Sequence, residues 1–280
     1  MDWFGRIEYD TVQCHHTMDT VPDPAAFPPH THTEMELLYF ISGRANCLVE
    51  GHIYTLQPGD LLIMRTGETH SMQPATDVPY ERVAIHFSTQ LLMPELQKTL
   101  LPPFTDRALG TGNLYTAGEL PGDFIKQCMQ LLFEHAPDDG PQRVIVYLLP
   151  LLQQITDAWQ KREGNQPPVP EQQISAQLVT YINLHLSELS SLQQLEQRFF
   201  LSQSQISRIF RRTTGTSVWE YVQIKRLFAA RELLYQGVSP GQAATSSGYR
   251  EYSTFFRAYK KQFGHSPLED TQRAAATHIG

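Results

Sequence analysis

Cysteine is scarce in this chain of 280 residues, with only Cys14, Cys47 and Cys128. They are odd in number, widely separated and without C-x-x-C spacing, which excludes a disulfide framework and a thiolate metal centre and fits a reducing compartment. Long hydrophobic runs are missing too. The strongest, Val144 to Leu152, contains Pro150 and covers about half a membrane span, so no membrane partner is expected. The opening residues, MDWFGRIEYD, lack the basic-then-apolar pattern of a secretory leader, and a cytoplasmic protein is expected. Coiled coil and disorder are disfavoured as well, because 41% hydrophobic residues over this length fill one or two sizeable cores.

Positive charge is also short, at a formal −7, which taken as a whole argues against a nucleic-acid partner. The deficit is confined to one half. Residues 1–170 hold 10 Lys and Arg against 21 Asp and Glu, whereas residues 171–280 hold 12 against 8, a local charge of +4. The stretch between them, KREGNQPPVPEQQ, is polar and rich in Gln and Pro, and predicts a linker over 161–173.

Ahead of that linker, short apolar segments at 37–41, 45–49, 53–56, 61–64 and 83–87 alternate with Gly-containing turns such as Ser42-Gly43, Glu50-Gly51 and Pro58-Gly59. The pattern predicts an all-β barrel or sandwich. Helical periodicity follows at 123–135 and 141–161, covering the open face of the barrel and offering a homodimer interface; Pro150 should kink or interrupt the second helix. Behind the linker the period stays near 3.6, predicting helices at 174–187, 191–198, 202–213, 217–236, 239–246 and 250–262 and one after Pro267.

Within those helices one unit occurs twice. Leu192, Leu195, a turn, the cap residue Ser202 and then Ile206, Ile209 and Phe210 describe a helix-turn-helix; Pro240–Ala244, Gly248, Phe255 and Tyr259 describe another. The polar side of each second helix carries Ser204, Ser207, Arg208, Arg211 and Arg212 in the first unit and Ser253, Arg257, Lys260 and Lys261 in the second. Such faces suit base edges and phosphates, and the helix over 217–236 is long enough to space two groove-entering helices.

On these residues the second half resembles the AraC/XylS family of bacterial transcription regulators. The match runs from about Ile174 to Arg273, through Ser202, Ile206, Arg208-Ile209-Phe210 and Gly215, then Gly248-Tyr249, Phe255, Arg257, Tyr259-Lys260-Lys261, Gly264 and Ser266-Pro267. The resemblance implies that Ser204, Ser207, Arg208, Tyr252, Ser253, Phe256 and Arg257 face the groove. Arg208 and Arg257 suit guanine edges, and Tyr252 and Phe256 suit thymine methyls. Arg211, Arg212, Lys260 and Lys261 suit phosphates. Glu196 stands where the family has a small residue, and Ser204 and Ser207 are smaller than usual, so the first motif leans on Arg208 and Arg211.

The first half holds a second cluster. His30, His32, Glu36 and Gly43 resemble the first cupin motif, and Gly59, Gly67 and His70 the second, with Arg65 and Pro74 in place of its usual proline and asparagine. Cupins are jelly-roll barrels, and their metal-binding members gather three histidines and the glutamate on one cation. Imidazole and carboxylate suit zinc, nickel, iron or manganese, and even parity puts 30, 32 and 36 on one side of a regular strand. A metal-free polar effector pocket is the alternative. Arg82 and His86 share a strand face directed either into a polar lumen or into water, Arg65 offers a fork for an anionic effector, and Tyr39, Trp3 and Phe4 offer stacking surfaces.

The expectation is therefore an α+β two-domain chain. Residues 1–160 form a cupin-like β-barrel (jelly roll) with flanking helices, for effector binding and dimerisation, and residues 174–280 form an all-α domain with two helix-turn-helix motifs. The resemblance implies a sequence-specific transcription regulator, an activator rather than an enzyme, with double-stranded DNA, a small-molecule effector such as a sugar or related carbon source, a second copy of itself and RNA polymerase as partners. The alternative is a metal-dependent cupin enzyme with an accessory helical domain. General DNA binding without sequence preference is the third possibility.

Overall fold

The computed structural model describes residues 5–134, 140–163 and 174–277. The chain divides after residue 172 into two compact units. The linker expected at 161–173 lies, from residue 164 onward, outside the described residues, as do Trp3 and Phe4.

The first unit is built on two antiparallel sheets. Strands β1 (Gly5–Tyr9), β2 (Val12–Asp19), β3 (Met35–Ser42), β6 (Leu61–Met64), β8 (Tyr80–Phe87) and β9 (Leu114–Tyr115) form one, in the order β1-β2-β8-β3-β6-β9, and β4 (Ala45–Val49), β5 (His52–Leu56) and β7 (His70–Pro74) form the other, in the order β5-β4-β7. Strand parity gives the large sheet two working faces. Leu37, Tyr39, Leu61, Ile63, Val83, Ile85 and Phe87 pack under the helices α1 (Pro94–Leu100), α2 (Pro102–Thr105), α3 (Gly122–Phe133) and α4 (Pro141–Glu163). Leu38, Phe40, Leu62, Met64 and Tyr80 face Ala45, Cys47, Val49, Leu56 and Met72 of the small sheet. All three cysteines are free and buried.

Helix α4 runs unbroken through Pro150. The proline removes the hydrogen bond to the carbonyl of Val146, and Val146 is 61% exposed, so water can take that acceptor. A buried ion pair anchors the loop behind α2: Arg107 reaches both oxygens of Glu68 at 2.7 Å, and Gly110 N, Asn113 Nδ2 and Arg65 N also donate to that carboxylate. With five donors the charge is fully met, and the Arg107 guanidinium holds the Glu68 carboxyl below its ordinary range despite burial that pushes it up.

The second unit is helical: α5 (Ile174–Leu184), α6 (Leu192–Phe199), α7 (Gln203–Thr214), α8 (Val218–Tyr235), α9 (Pro240–Ser246), α10 (Tyr252–Phe263) and α11 (Pro267–Thr277). Serine caps start the key helices. Ser202 Oγ accepts from Gln205 N while the Gln205 side chain accepts from Ser202 N, and Ser217 and Glu220 repeat the device at α8. Two small cores result. Tyr221 and Val222 of α8 join Leu195, Ile206 and Phe210, and Leu227, Ala230 and Leu234 of the same helix join Ala243, Ala244, Phe255 and Tyr259.

At the junction of those cores Arg226 donates to the carbonyls of Leu186 and Leu189, both at 2.7 Å. Gly248 closes against the same loop. Its φ is +93°, and a Cβ there would lie 2.8 Å from Ser187 Cα, so only glycine meets both demands. The two helix-turn-helix units are thereby tied to one rod about 27 Å long. Among the described residues no helix is long and apolar enough to cross a membrane.

Candidate effector pocket and nucleic-acid interface

Glu36 projects from β3 into the space between the sheets and is 3% exposed. Its Oε2 lies 2.8 Å from His32 Nε2, 3.0 Å from His70 Nε2 and 3.6 Å from His86 Nε2. The His30 ring stands edge-on to that of His70 at 4.3 Å. Parity is not what gathers these rings, because β3 begins only at Met35 and residues 30–34 are not strand. Backbone hydrogen bonds do the aiming instead. His30 and His70 exchange backbone bonds, and the Nδ1 atoms of His30, His32 and His70 lie 2.9–3.0 Å from the carbonyls of Pro28, Glu34 and Glu68, each two residues away in sequence.

A carbonyl only accepts, so each of those Nδ1 atoms carries its proton and each Nε2 is turned inward, in the manner of a metal-ligating imidazole. Burial raises the Glu36 carboxyl, but the surrounding imidazoles of His70, His32 and His86 outweigh it and leave the acid well below its usual range. Burial and the neighbouring His70 push His30 down to about 4, while Glu36 raises His32 against the effect of burial. A proton on His32 satisfies one edge of the carboxylate. It leaves His70 Nε2 buried with no hydrogen-bond partner. Two overlapping donor groups, His30 with His32 and His70, and His32 with Glu36 and His86, have all their donor atoms within 4.8 Å of one another. Nitrogen and carboxylate donors of this kind fit a divalent transition metal, which would meet the orphaned nitrogen as well.

The other expected pocket residues go elsewhere. Arg65 donates through Nη1 to the carbonyls of Thr105 and Arg107, which turns its guanidinium toward the loop behind α2. Arg82 shares the inner face with His86 but pairs with Asp19 and lies over the rings of Phe27 and Tyr80. Tyr39 belongs to the core beneath the helices. Sequence reasoning missed Glu68 and Arg107, whose pairing holds the carbonyl that aims His70; a glutamate two residues before the histidine was the available signal.

In the second unit every residue expected at the groove is exposed: Ser204, Ser207, Arg208, Arg211 and Arg212 on α7, and Tyr252, Ser253, Phe256, Arg257, Lys260 and Lys261 on α10. Ile206 and Phe210, and Phe255 and Tyr259, anchor the opposite sides. Among the described residues neither Arg208 nor Arg257 forms an ion pair, so both guanidiniums remain available to a partner. Ser204, Ser207, Arg208 and Arg211 rim an open hollow of about 460 Å³ floored by Leu192, Val218 and Trp219. Glu196 is half-buried and accepts from Gln203, so it ties α6 to the start of α7. The second recognition helix is braced from behind. Asp270 of α11 accepts from Tyr259 at 2.5 Å and from Arg231 at 3.0 Å, with His265 Nε2 at 2.9 Å. Phe200, in the turn before α7, adopts a left-handed φ of 55° and is 93% exposed, which nothing in its sequence context announces.

A family model described as "AraC-like ligand binding domain" matches residues 22–136, and one described as "Helix-turn-helix domain" matches residues 195–273. Similar proteins include HTH-type transcriptional activators RhaS of Yersinia pestis and Yersinia pseudotuberculosis, each 24% identical over 251 residues that make up 88% of this chain and 89% of theirs. Similar solved structures include a probable AraC family transcriptional regulator from Rhodopseudomonas palustris, 30% identical over 34% of this chain and 91% of its own, with a TM-score of 0.32. ToxT from Vibrio cholerae is 10% identical over 94% of this chain and 98% of its own, with a TM-score of 0.42. The two family matches and the named activators favour a regulator over a metal-dependent enzyme.

Proposed function

The chain belongs to the AraC family of transcription regulators, and on that premise we propose that α7 and α10 enter successive major grooves of double-stranded DNA under the control of a small molecule bound among the imidazoles of the first unit. The observation that carries this reading is the pair of solvent-facing, arginine-bearing helices tied to one rod through Arg226. Arg208 and Arg257 read guanine edges by paired hydrogen bonds, with Ser204, Ser207, Tyr252, Ser253 and Phe256 beside them, and Arg211, Arg212, Lys260 and Lys261 bind phosphates. In this reading residues 1–160 bind effector and dimerise, and residues 174–280 read DNA.

The effector is a sugar or related carbon source, whose hydroxyls can donate to the inward imidazole nitrogens and to the Glu36 carboxylate. His30, His32, Glu36 and His70 hold a divalent zinc, nickel, iron or manganese ion, which would supply a Lewis-acidic anchor for an effector oxygen. The protein acts in the cytoplasm as an activator, the role its RhaS relatives are named for, and touches RNA polymerase. A second copy packs on the outer sides of α3 and α4, where Phe124 and Val146 are exposed.

A genome-wide footprint of the bound protein tests the reading. Paired protected boxes one helical turn apart, upstream of uptake or catabolic genes, are expected. Protection without sequence preference would overturn it.

A further inference from the structure

The metal reading above rests on a ligand set in which β8 takes no part, yet β8 carries a histidine, His86, directly across the sheet from Glu36. Glu36 and His86 are register partners across β3 and β8, so their side chains leave the sheet next to each other on its inner face. The Glu36 Oε2 to His86 Nε2 distance of 3.6 Å is too long for a hydrogen bond. It is close to the separation of about 3.3 Å that two donors adopt around a tetrahedral ion at about 2.0–2.1 Å. His32 Nε2 completes the group, and its ring meets that of His86 edge-on at 5.0 Å.

We infer that His86 is a ligand of the divalent transition metal, held with His32 and Glu36, and that His30 is not essential to the site. The inference depends on the metal reading for its premise and departs from it in the donors. His30 is the most solvent-exposed of the four histidines around Glu36, which itself is 3% exposed. His86 Nδ1 is buried and has no hydrogen-bond partner, so no carbonyl fixes this ring as others fix His30, His32 and His70. Its inward nitrogen is placed beside Glu36 by the register of β8 on β3. The donors are two neutral imidazoles and one carboxylate, with His70 adjacent, and any remaining positions on the ion are open to water or to oxygen atoms of an effector. The net charge of the ion with Glu36 is +1, which favours an effector carrying a carboxylate or a chelating pair of hydroxyls.

The test uses full-length protein purified without a nickel column, stripped with a chelator and titrated with cobalt(II), with visible absorption and competition against a chromophoric chelator as readouts. One cobalt per chain is expected. His86→Gln should weaken binding by at least about 100-fold, the upper end of what loss of a mere supporting partner costs, and should shift the visible bands, while His30→Gln should cost less than about 10-fold. In unsubstituted protein, zinc should move the imidazole 15N resonances of His86 and His32 together, a readout that does not depend on any variant folding. If cobalt binds one to one, His86→Gln titrates like the parent and His30→Gln abolishes binding, the inference is wrong and the motif set is right. If the parent protein binds no cobalt, the metal reading itself fails.

Discussion

In the first unit the central groups face inward: Glu36 and His70 are each 3% exposed, and backbone carbonyls orient the rings of His30, His32 and His70. In the second unit they face outward, with the cations of α7 and α10 in solvent and the hydrogen bonds spent on holding the helices in place. The difference is one of coupling. An inward polar cluster in a low-dielectric space cannot lose one member without stranding another, whereas an outward cation can be removed alone. The first arrangement suits a site that changes state as a whole, and the second suits a surface that adds up independent contacts.

The comparison is broken most forcefully at Glu68. Glu68→Gln leaves the Arg107 guanidinium buried beside a neutral amide, and a loss of about 3–5 kcal/mol in urea unfolding is expected. A loss below about 1 kcal/mol would mean that inward charges are no more coupled than outward ones. Arg257→Ala is the outward counterpart. It should leave unfolding unchanged and cost about 1–3 kcal/mol of discrimination at one or two base pairs, read by binding to a panel of single-substitution duplexes. Lys260→Ala should weaken all duplexes alike and reduce the slope of log affinity against log salt by about 0.9.

The smallest effect concerns a half-exposed pair in the first unit. Arg162 bonds both oxygens of Glu119 and, with Thr116, brings that acid down to about 2 against the opposing effect of burial. A depressed carboxyl contributes stability above its ordinary pKa and loses it as pH falls toward the folded value. Arg162→Met should therefore flatten the stability profile between about pH 4.5 and 2 by no more than about 1 kcal/mol, as acid unfolding curves would show.

The helical unit was legible almost throughout, for a physical reason. Helices such as α7 have an apolar face at a period of 3.6, α8 buries residues toward two cores, and serines such as Ser202 and Ser217 mark the starts, so the expected 202–213 and 217–236 became Gln203–Thr214 and Val218–Tyr235. The sheets were half legible. Strands β3, β4 and β6 are largely apolar, but β2, VQCHHTMD, hides its inward positions behind histidines, and β7, HSMQP, reads as polar loop. Helices α1 and α2 were missed because PELQKTL and PPFT are short and begin with proline, which serves a first turn as readily as a loop.

The same limits apply to the sites. The polar faces of α7 and α10 follow from helical spacing, whereas Tyr252 and Phe256 were added by the family resemblance. The convergence of His30, His32, Glu36 and His70 could be read from motif spacing, but the direction of His86 could not. Parity placed it opposite Val83, Ile85 and Phe87 without saying which face met the second sheet. Arg107 was invisible because its partner lies 39 residues away.

The central claim is that two outward helices read DNA at a distance fixed by α8 and its Arg226 junction. It is tested most directly by measuring the affinity of the full-length protein for duplexes carrying both selected half-sites, with about five base pairs, half a helical turn, inserted between them. The account predicts that binding falls to the level of a single half-site, and that Arg226→Ala narrows the gap between the two spacings. Undiminished binding to the lengthened duplex would contradict it.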